Sequence, residues 1–252
     1  MQTKQNRMFL FFKTKPRLRD LISDDYIDIH SHLLPNIDDG ATDFENTKSL
    51  ILKMQDIGFK QFITTPHVIK NVWNNNSIGI KALETNTNDL LKKASVTVKL
   101  SAAAEYMMDT DFMELFKSEK LLTLKDNYVL VEMSYINPPI QLYQIIFDLQ
   151  IAGYVPVLAH PERYSFYYNN LKEYKRLKKA GCKFQLNLLS TVGYYGPEAL
   201  KTANQLLENN LIDFVGSDIH HENHINSFDS KIKTNNLENL KTAIKNNDFF
   251  KI

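Results

Sequence analysis

The chain has one cysteine in 252 residues, Cys182, so no intramolecular disulfide and no multi-cysteine zinc cluster can form, which fits a reducing compartment. Nor is there an excess of charge of either sign. Thirty Lys and Arg against 29 Asp and Glu give a formal charge of +1, with no footprint for a polyanion, so nucleic acid is not an expected partner. No run of about 18 apolar residues exists, so no membrane-spanning helix is expected. The segment 8–12 (MFLFF) is too short even for a signal-peptide core, and the reading is of a cytoplasmic protein. No internal repeat and no Pro-, Gly- or Ser-rich linker divides the chain. At 43% hydrophobic content it supports one sizeable core, giving a single domain over 25–252 after an N-terminal arm, 1–24. The arm is basic and aromatic, and reads either as a leader packed on the outside of the domain or as a docking or membrane-surface peptide.

What is present is an alternation of short β-like runs with helical stretches, the pattern of an α/β fold with a largely parallel sheet. Seven runs stand out: 26–30 (YIDIH), 61–65 (QFITT), 96–102 (VTVKLSA), 128–133 (YVLVEM), 155–159 (VPVLA), 183–187 (KFQLN) and 213–217 (DFVGS). Thr42 with Glu45 three residues later predicts a capping box, followed by Leu50, Ile51, Met54 and Ile57 on one helical face and a stop at Gly58. Asn137-Pro138-Pro139 predicts a helix start, with Leu142, Ile145, Ile146 and Leu149 as its stripe. Pro197 predicts another, with Leu200, Ala203, Leu206 and Leu207. The polar stretch 71–76 (NVWNNN) has no period and reads as a loop.

The seven histidines are ordinary in number but not in placement. In an extended strand residues i and i+2 share a face, so His30 and His32 can converge on one ion. His67 follows the second run, Glu105 the third, Glu132 ends the fourth within an apolar stretch, His160 ends the fifth, and Asp218 with His220 ends the seventh. A lone histidine in a loop, or a lone glutamate paired with a lysine, has an ordinary structural explanation. Six of seven strands finishing in a metal-capable side chain does not. Parallel-strand barrels carry their active sites at this C-terminal rim, so a multi-metal site of mixed imidazoles and carboxylates is expected there, as manganese, iron or zinc would use.

The segments DIHSHLLPNIDDGA (28–41), TTPH (64–67), AAEY (103–106), LVEM (130–133), AHPERY (159–164) and GSDIH (216–220) resemble the polymerase and histidinol phosphatase (PHP) superfamily. More narrowly, they resemble its bacterial tyrosine-protein phosphatases, encoded with capsule and exopolysaccharide genes. The resemblance implies a distorted (β/α)7 barrel, TIM-like in outline, holding three divalent metal ions, usually manganese. It implies His30, His32, Glu105 and Asp218 around the first ion, Glu105 bridging to a second held with Glu132 and His160, and Asp39, His67 and His220 around the third. Asp38, next to the matching Asp39, is left for a turn or supporting role. Arg163 matches the arginine that grips phosphate. A second family arginine falls at Ile225 here, so His221 or His224 is a candidate replacement, unless each is simply a loop histidine.

Three clustered cations suit phosphoester hydrolysis, with a metal-bridging hydroxide as the expected nucleophile. A thiol mechanism is excluded, because the position five residues beyond Cys182 plus one is Leu188 and not the arginine of a Cys-x5-Arg loop. Phenolate, with a pKa of about 10, is a tolerable leaving group, and His220 or His221 is the candidate proton donor. Tyr164, Phe166, Tyr167 and Tyr168 can receive an aromatic ring or merely pack. The resemblance implies a phosphotyrosine phosphatase opposing a tyrosine kinase of polysaccharide export, peripheral to the inner membrane through that kinase. The alternatives are a small-molecule phosphomonoesterase of the histidinol-phosphatase type and a catalytically silent binding module; homo-oligomerisation stays open.

Overall fold

The computed structural model describes residues 14–251, so 8–12 of the N-terminal arm lie outside the described residues. The strands are β1 (Tyr26–Asp28), β2 (Phe59–Thr64), β3 (His67–Val68), β4 (Lys99–Ala102), β5 (Glu105–Met107), β6 (Tyr128–Glu132), β7 (Val155–Ala159), β8 (Lys183–Asn187) and β9 (Phe214–Gly216). The helices are α1 (Phe44–Gln55), α2 (Ser77–Lys93), α3 (Thr110–Ser118), α4 (Leu142–Ile151), α5 (Leu171–Lys179), α6 (Pro197–Glu208), α7 (Glu222–Asn226) and α8 (Leu237–Asn246).

All seven sequence runs are strands, and every strand pair is parallel. β3 and β5 are additions, and both are continuations. β2 and β4 pair with each other, bend, and resume as the pair β3 and β5. The ladder therefore divides into a sheet β1-β2-β4 and a sheet β3-β5-β6-β7-β8-β9. On the far side a Ser31–Ile219 bridge and the Ser217–Asp28 hydrogen bonds join the end of the first sheet to the last strand. The expected seven-stave ring is present, but its hydrogen bonding is interrupted and the barrel is not closed.

Two apolar layers explain the shape. An inner stack includes Ile27, Ile63, Leu130, Val157 and Phe214, plugged by Leu124 and Phe250, and an outer, larger core joins the sheets to the helices. Leu130 belongs to the inner stack, so Glu132, two residues on, projects from the same side at its upper end. Ala103 and Glu105 stand in the same relation. The period of two thus places carboxylates on top of an apolar plug.

Two helix starts differ from expectation. The cap of α1 is Asp43, whose carboxylate accepts from the Asn46 amide at 2.8 Å, because Asp43 and not Thr42 is the residue immediately ahead of the first turn. After Pro138-Pro139 the chain makes a turn, and α4 starts at Leu142. Pro197 opens α6 as expected. The described part of the arm lies against 229–235: Arg17 bridges Lys231, Lys15 reaches the carbonyl of Lys233 at 2.9 Å, and Leu18 is fully buried.

Candidate metal centre

His30, His32, Glu105 and Asp218 meet at the upper end of the inner stack and are all buried. His30 Nε2 lies 3.1 Å from Glu105 Oε2 and 3.3 Å from Asp218 Oδ1. His32 Nε2 lies 3.5 and 3.4 Å from the same two oxygens and 3.4 Å from His30 Nε2. Neighbouring ligands bound about 2.1 Å from one ion at near-right to tetrahedral angles stand about 3.0–3.4 Å apart, so these spacings are those of a cation site.

Asp218 reaches the cluster because its backbone adopts φ 53°, and His160 does so at φ 34°, both left-handed conformations that cost a non-glycine residue about 1–3 kcal/mol. Gly216 lies where a Cβ would meet His30 Cβ and Gln185 Nε2, each at 2.6 Å, so the approach of β9 to the site requires glycine.

Glu105 is the hub. Its Oε2 faces His30, His32 and His67, the last at 3.3 Å from Nδ1, while its Oε1 is 3.1 Å from His160 Nε2. Glu132 Oε1 lies 2.8 Å from His67 Nδ1. Asp39 Oδ1, at the exposed edge, is 3.5 Å from both His67 Nε2 and His220 Nε2. The resemblance groups Glu132 with His160; the geometry groups Glu132 with His67 and Glu105, and His160 with His30 and Asp218.

The supports fix which nitrogen faces inward. Gln185 donates through Nε2 to the Leu186 carbonyl, which turns its Oε1 to His30 Nδ1 at 2.7 Å, so Nδ1 carries the proton and Nε2 points to the cluster. His32 Nδ1 donates likewise to Asp38 Oδ2 at 2.8 Å, the supporting role left open for Asp38. His220 Nδ1 donates to the Asp218 carbonyl at 2.9 Å and turns Nε2 outward.

The charges ask for a cation. Burial lowers the affinity of His30 for a proton, yet Glu105 and Asp218 outweigh it and raise its pKa to about 9. Burial works against Glu105, but His30 and His67 hold it well below the usual carboxylate range. Burial and then the Glu105 charge push Glu132 up. Burial and Arg163 lower His160 to about 4, keeping its imidazole neutral and free to act as a ligand. A carboxylate-rich pocket that draws protons onto its imidazoles fits metal cations, whose charge would replace those protons.

Arg163 Nη1 donates to Asp218 Oδ2 at 2.6 Å, and Asn187 Nδ2 donates to the same oxygen at 3.0 Å. The guanidinium lies 4.1 Å from the Tyr195 ring centre and 5.0 Å from that of Tyr135, which in turn stacks on His160. Sequence reasoning missed Gln185, Asn187, Tyr135 and Tyr195. His221 is exposed and outside these groups, its ring 4.0 Å from that of His224, and His224 is buried with Nδ1 3.1 Å from the Asp218 carbonyl. Ile225 is buried in the outer core. Of the aromatics after His160, Tyr164 and Tyr167 are buried in the core and serve packing.

Two outcomes follow. Gln185→Leu should raise the metal concentration needed for half-maximal activity about 10–100-fold, since it strands a buried imidazole proton; an unchanged titration would remove Gln185 from this role. Cys182 is buried, which raises its thiol to about 12. A thiol reagent should label it only after denaturation, and Cys182→Ala should keep activity within about twofold.

The family model for capsular polysaccharide synthesis, CpsB/CapC, matches residues 26–231. The tyrosine-protein phosphatase YwqE of Bacillus subtilis is 31% identical over 195 residues, 77% of each chain. The tyrosine-protein phosphatase CpsB of Streptococcus pneumoniae is 28% identical over 200 residues, covering 77% of this chain and 82% of its own. A crystal structure from work on those two proteins, described as unique metal-dependent tyrosine phosphatases, superposes with a TM-score of 0.72 at 29% identity, covering 85% of this chain and 86% of that one. A histidinol phosphate phosphatase from Lactococcus lactis, at TM-score 0.52 and 11% identity over 88% of this chain and 94% of its own, shares the fold. With the model spanning most of its length and the ligand cluster assembled at the strand ends, this chain belongs to the CpsB/CapC family of capsular polysaccharide synthesis.

Proposed function

We propose that this chain is a metal-dependent protein-tyrosine phosphatase whose substrate is a phosphotyrosine protein of capsule or exopolysaccharide synthesis, foremost the tyrosine kinase of polysaccharide export, and that it works in the cytoplasm. The observation that carries the reading is the convergence of nine candidate ligands, eight from six strand ends and Asp39 from a loop, on one rim with Arg163 beside them. The assignment is three divalent cations, manganese foremost, with iron or zinc as substitutes. His30, His32, Glu105 and Asp218 would hold one, Asp39, His67 and His220 another, and Glu105 and Glu132 with His160 the third, His160 meeting that set through Glu105 Oε1 at 3.1 Å while Glu132 lies nearer His67.

When bound, the cations neutralise the phosphate and make water nucleophilic near neutral pH. The chain's own groups do the rest. Arg163 spends one N–H on Asp218 and keeps the remainder of its fork for phosphate oxygens. The guanidinium lies against the Tyr195 and Tyr135 rings, and Tyr135, 43% exposed, brings an aromatic edge to the rim beside it. His220, with its proton held on Nδ1 by the Asp218 carbonyl, presents an unprotonated Nε2 beside Asp39 at the open edge, as a metal ligand needs, so the proton for a departing phenolate would come from solvent at that edge or from exposed His221.

The test is turnover of a phosphotyrosine peptide beside histidinol phosphate and a panel of metabolite phosphates, with and without manganese, before and after chelation. Preference for the peptide, lost on chelation and restored by metal, is the expected result. Preference for a metabolite phosphate, or activity indifferent to chelation, would overturn it.

A further inference from the structure

Next to the candidate centre lies a cavity of about 210 Å3 that the catalytic reading does not use. Val68, Trp73, Met107, Phe112 and Leu115 form its apolar walls. The ion pair between Lys70 Nζ and Asp111 Oδ1, at 2.5 Å, lies among its polar lining. Val68 directly follows His67. Met107 stands two residues beyond Glu105 on β5, on the same side and about 6.6 Å further along, and pairs in register with Glu132. The cavity is therefore walled by residues of the two strands that carry His67 and Glu105.

Its size limits the occupant. Sites for whole small molecules run to about 300–1,000 Å3, whereas this one holds a single large side chain. Its walls want that side chain to be apolar, and its charged residues suit a polypeptide backbone passing over them. At about 3.3 Å per residue of extended chain, the step from Glu105 to Met107 corresponds to about two residues. Resting on the phosphotyrosine-protein reading above, we infer that the cavity is a specificity pocket for an apolar side chain about two residues from the phosphotyrosine.

Two phosphotyrosine peptides, identical except for leucine or serine two residues to either side of the phosphotyrosine, test this on the metal-loaded enzyme. The leucine peptide should show a kcat/KM at least about 10-fold higher, the scale of one buried aliphatic side chain. Leu115→Ser should shrink that ratio to within about twofold. Trp73 is the single tryptophan of the chain, so its emission reports occupancy directly. It should shift with a leucine peptide carrying a non-hydrolysable phosphonate in place of the phosphate, and not with the serine counterpart. Equal kcat/KM for the two peptides with unchanged emission overturns the pocket while the phosphatase reading stands, as does a preference that survives Leu115→Ser. Turnover of a metabolite phosphate with neither peptide hydrolysed overturns both.

Discussion

Replacing Glu105 with alanine is expected to lower kcat by at least about 10^3-fold, and to reduce the metal content per chain in the same preparation. One carboxylate faces four imidazoles: His30, His32 and His67 through Oε2 and His160 through Oε1. Its removal takes away the bridging negative charge while four imidazoles stay, so cations lose a shared ligand and gain repulsion from any imidazole that protonates. Losing several kcal/mol of charge stabilisation corresponds to three or more decades in rate. Glu105→Gln is the companion variant, because it keeps the volume and one carbonyl oxygen beneath the apolar stack; it should fold as the parent does while showing a comparable loss. Elemental analysis and steady-state kinetics on both variants make the check. Metal content and kcat within threefold of the parent in Glu105→Gln would refute the hub assignment.

The sequence made the ligands legible because strand period and rim position are both local signals. Each candidate ligand except Asp39 ends or follows a β-like run, and the structure brings His30, His32, Glu105 and Asp218 within 3.5 Å of one another in all the pairs that touch. What stayed illegible was tertiary. The sixth run, KFQLN, was the one strand with no metal-capable end, and it turns out to carry the supports: Gln185 on His30 and Asn187 on Asp218. Two fully buried amides in an otherwise apolar strand were the available signal, since buried polar side chains need partners. β3 and β5 were missed because two- and three-residue segments after a bend carry no period. The Thr42 cap failed by one residue, because Asp43 competes for the same turn and wins. The interruption of the ladder between β2 and β3 had no sequence signature beyond Pro66.

Arg163→Ala is expected to lower kcat/KM about 10^2–10^3-fold on phosphotyrosine peptide and p-nitrophenyl phosphate alike, the range seen when one preorganised donor to a developing anion is lost. The size of the effect follows from the absence of a substitute. Of the arginines among the described residues, Arg17 and Arg19 pair with Asp229 and Arg176 with Glu173. The position that the resemblance gives to a second arginine is Ile225, 5% exposed in the outer core. Arg163 also compensates Asp218, so a loss of activity could reflect a disturbed ligand and not a missing clamp. Arg163→Lys separates the two. Lysine keeps the positive charge beside Asp218 but lacks the planar fork and its contacts with the Tyr135 and Tyr195 rings. If Arg163 grips phosphate, Arg163→Lys should retain metal content and melting temperature while KM rises and kcat/KM falls at least about 10-fold. If its work is only to neutralise Asp218, Arg163→Lys should restore kcat/KM to within about threefold of the parent, and the phosphate clamp must then be sought elsewhere on the rim.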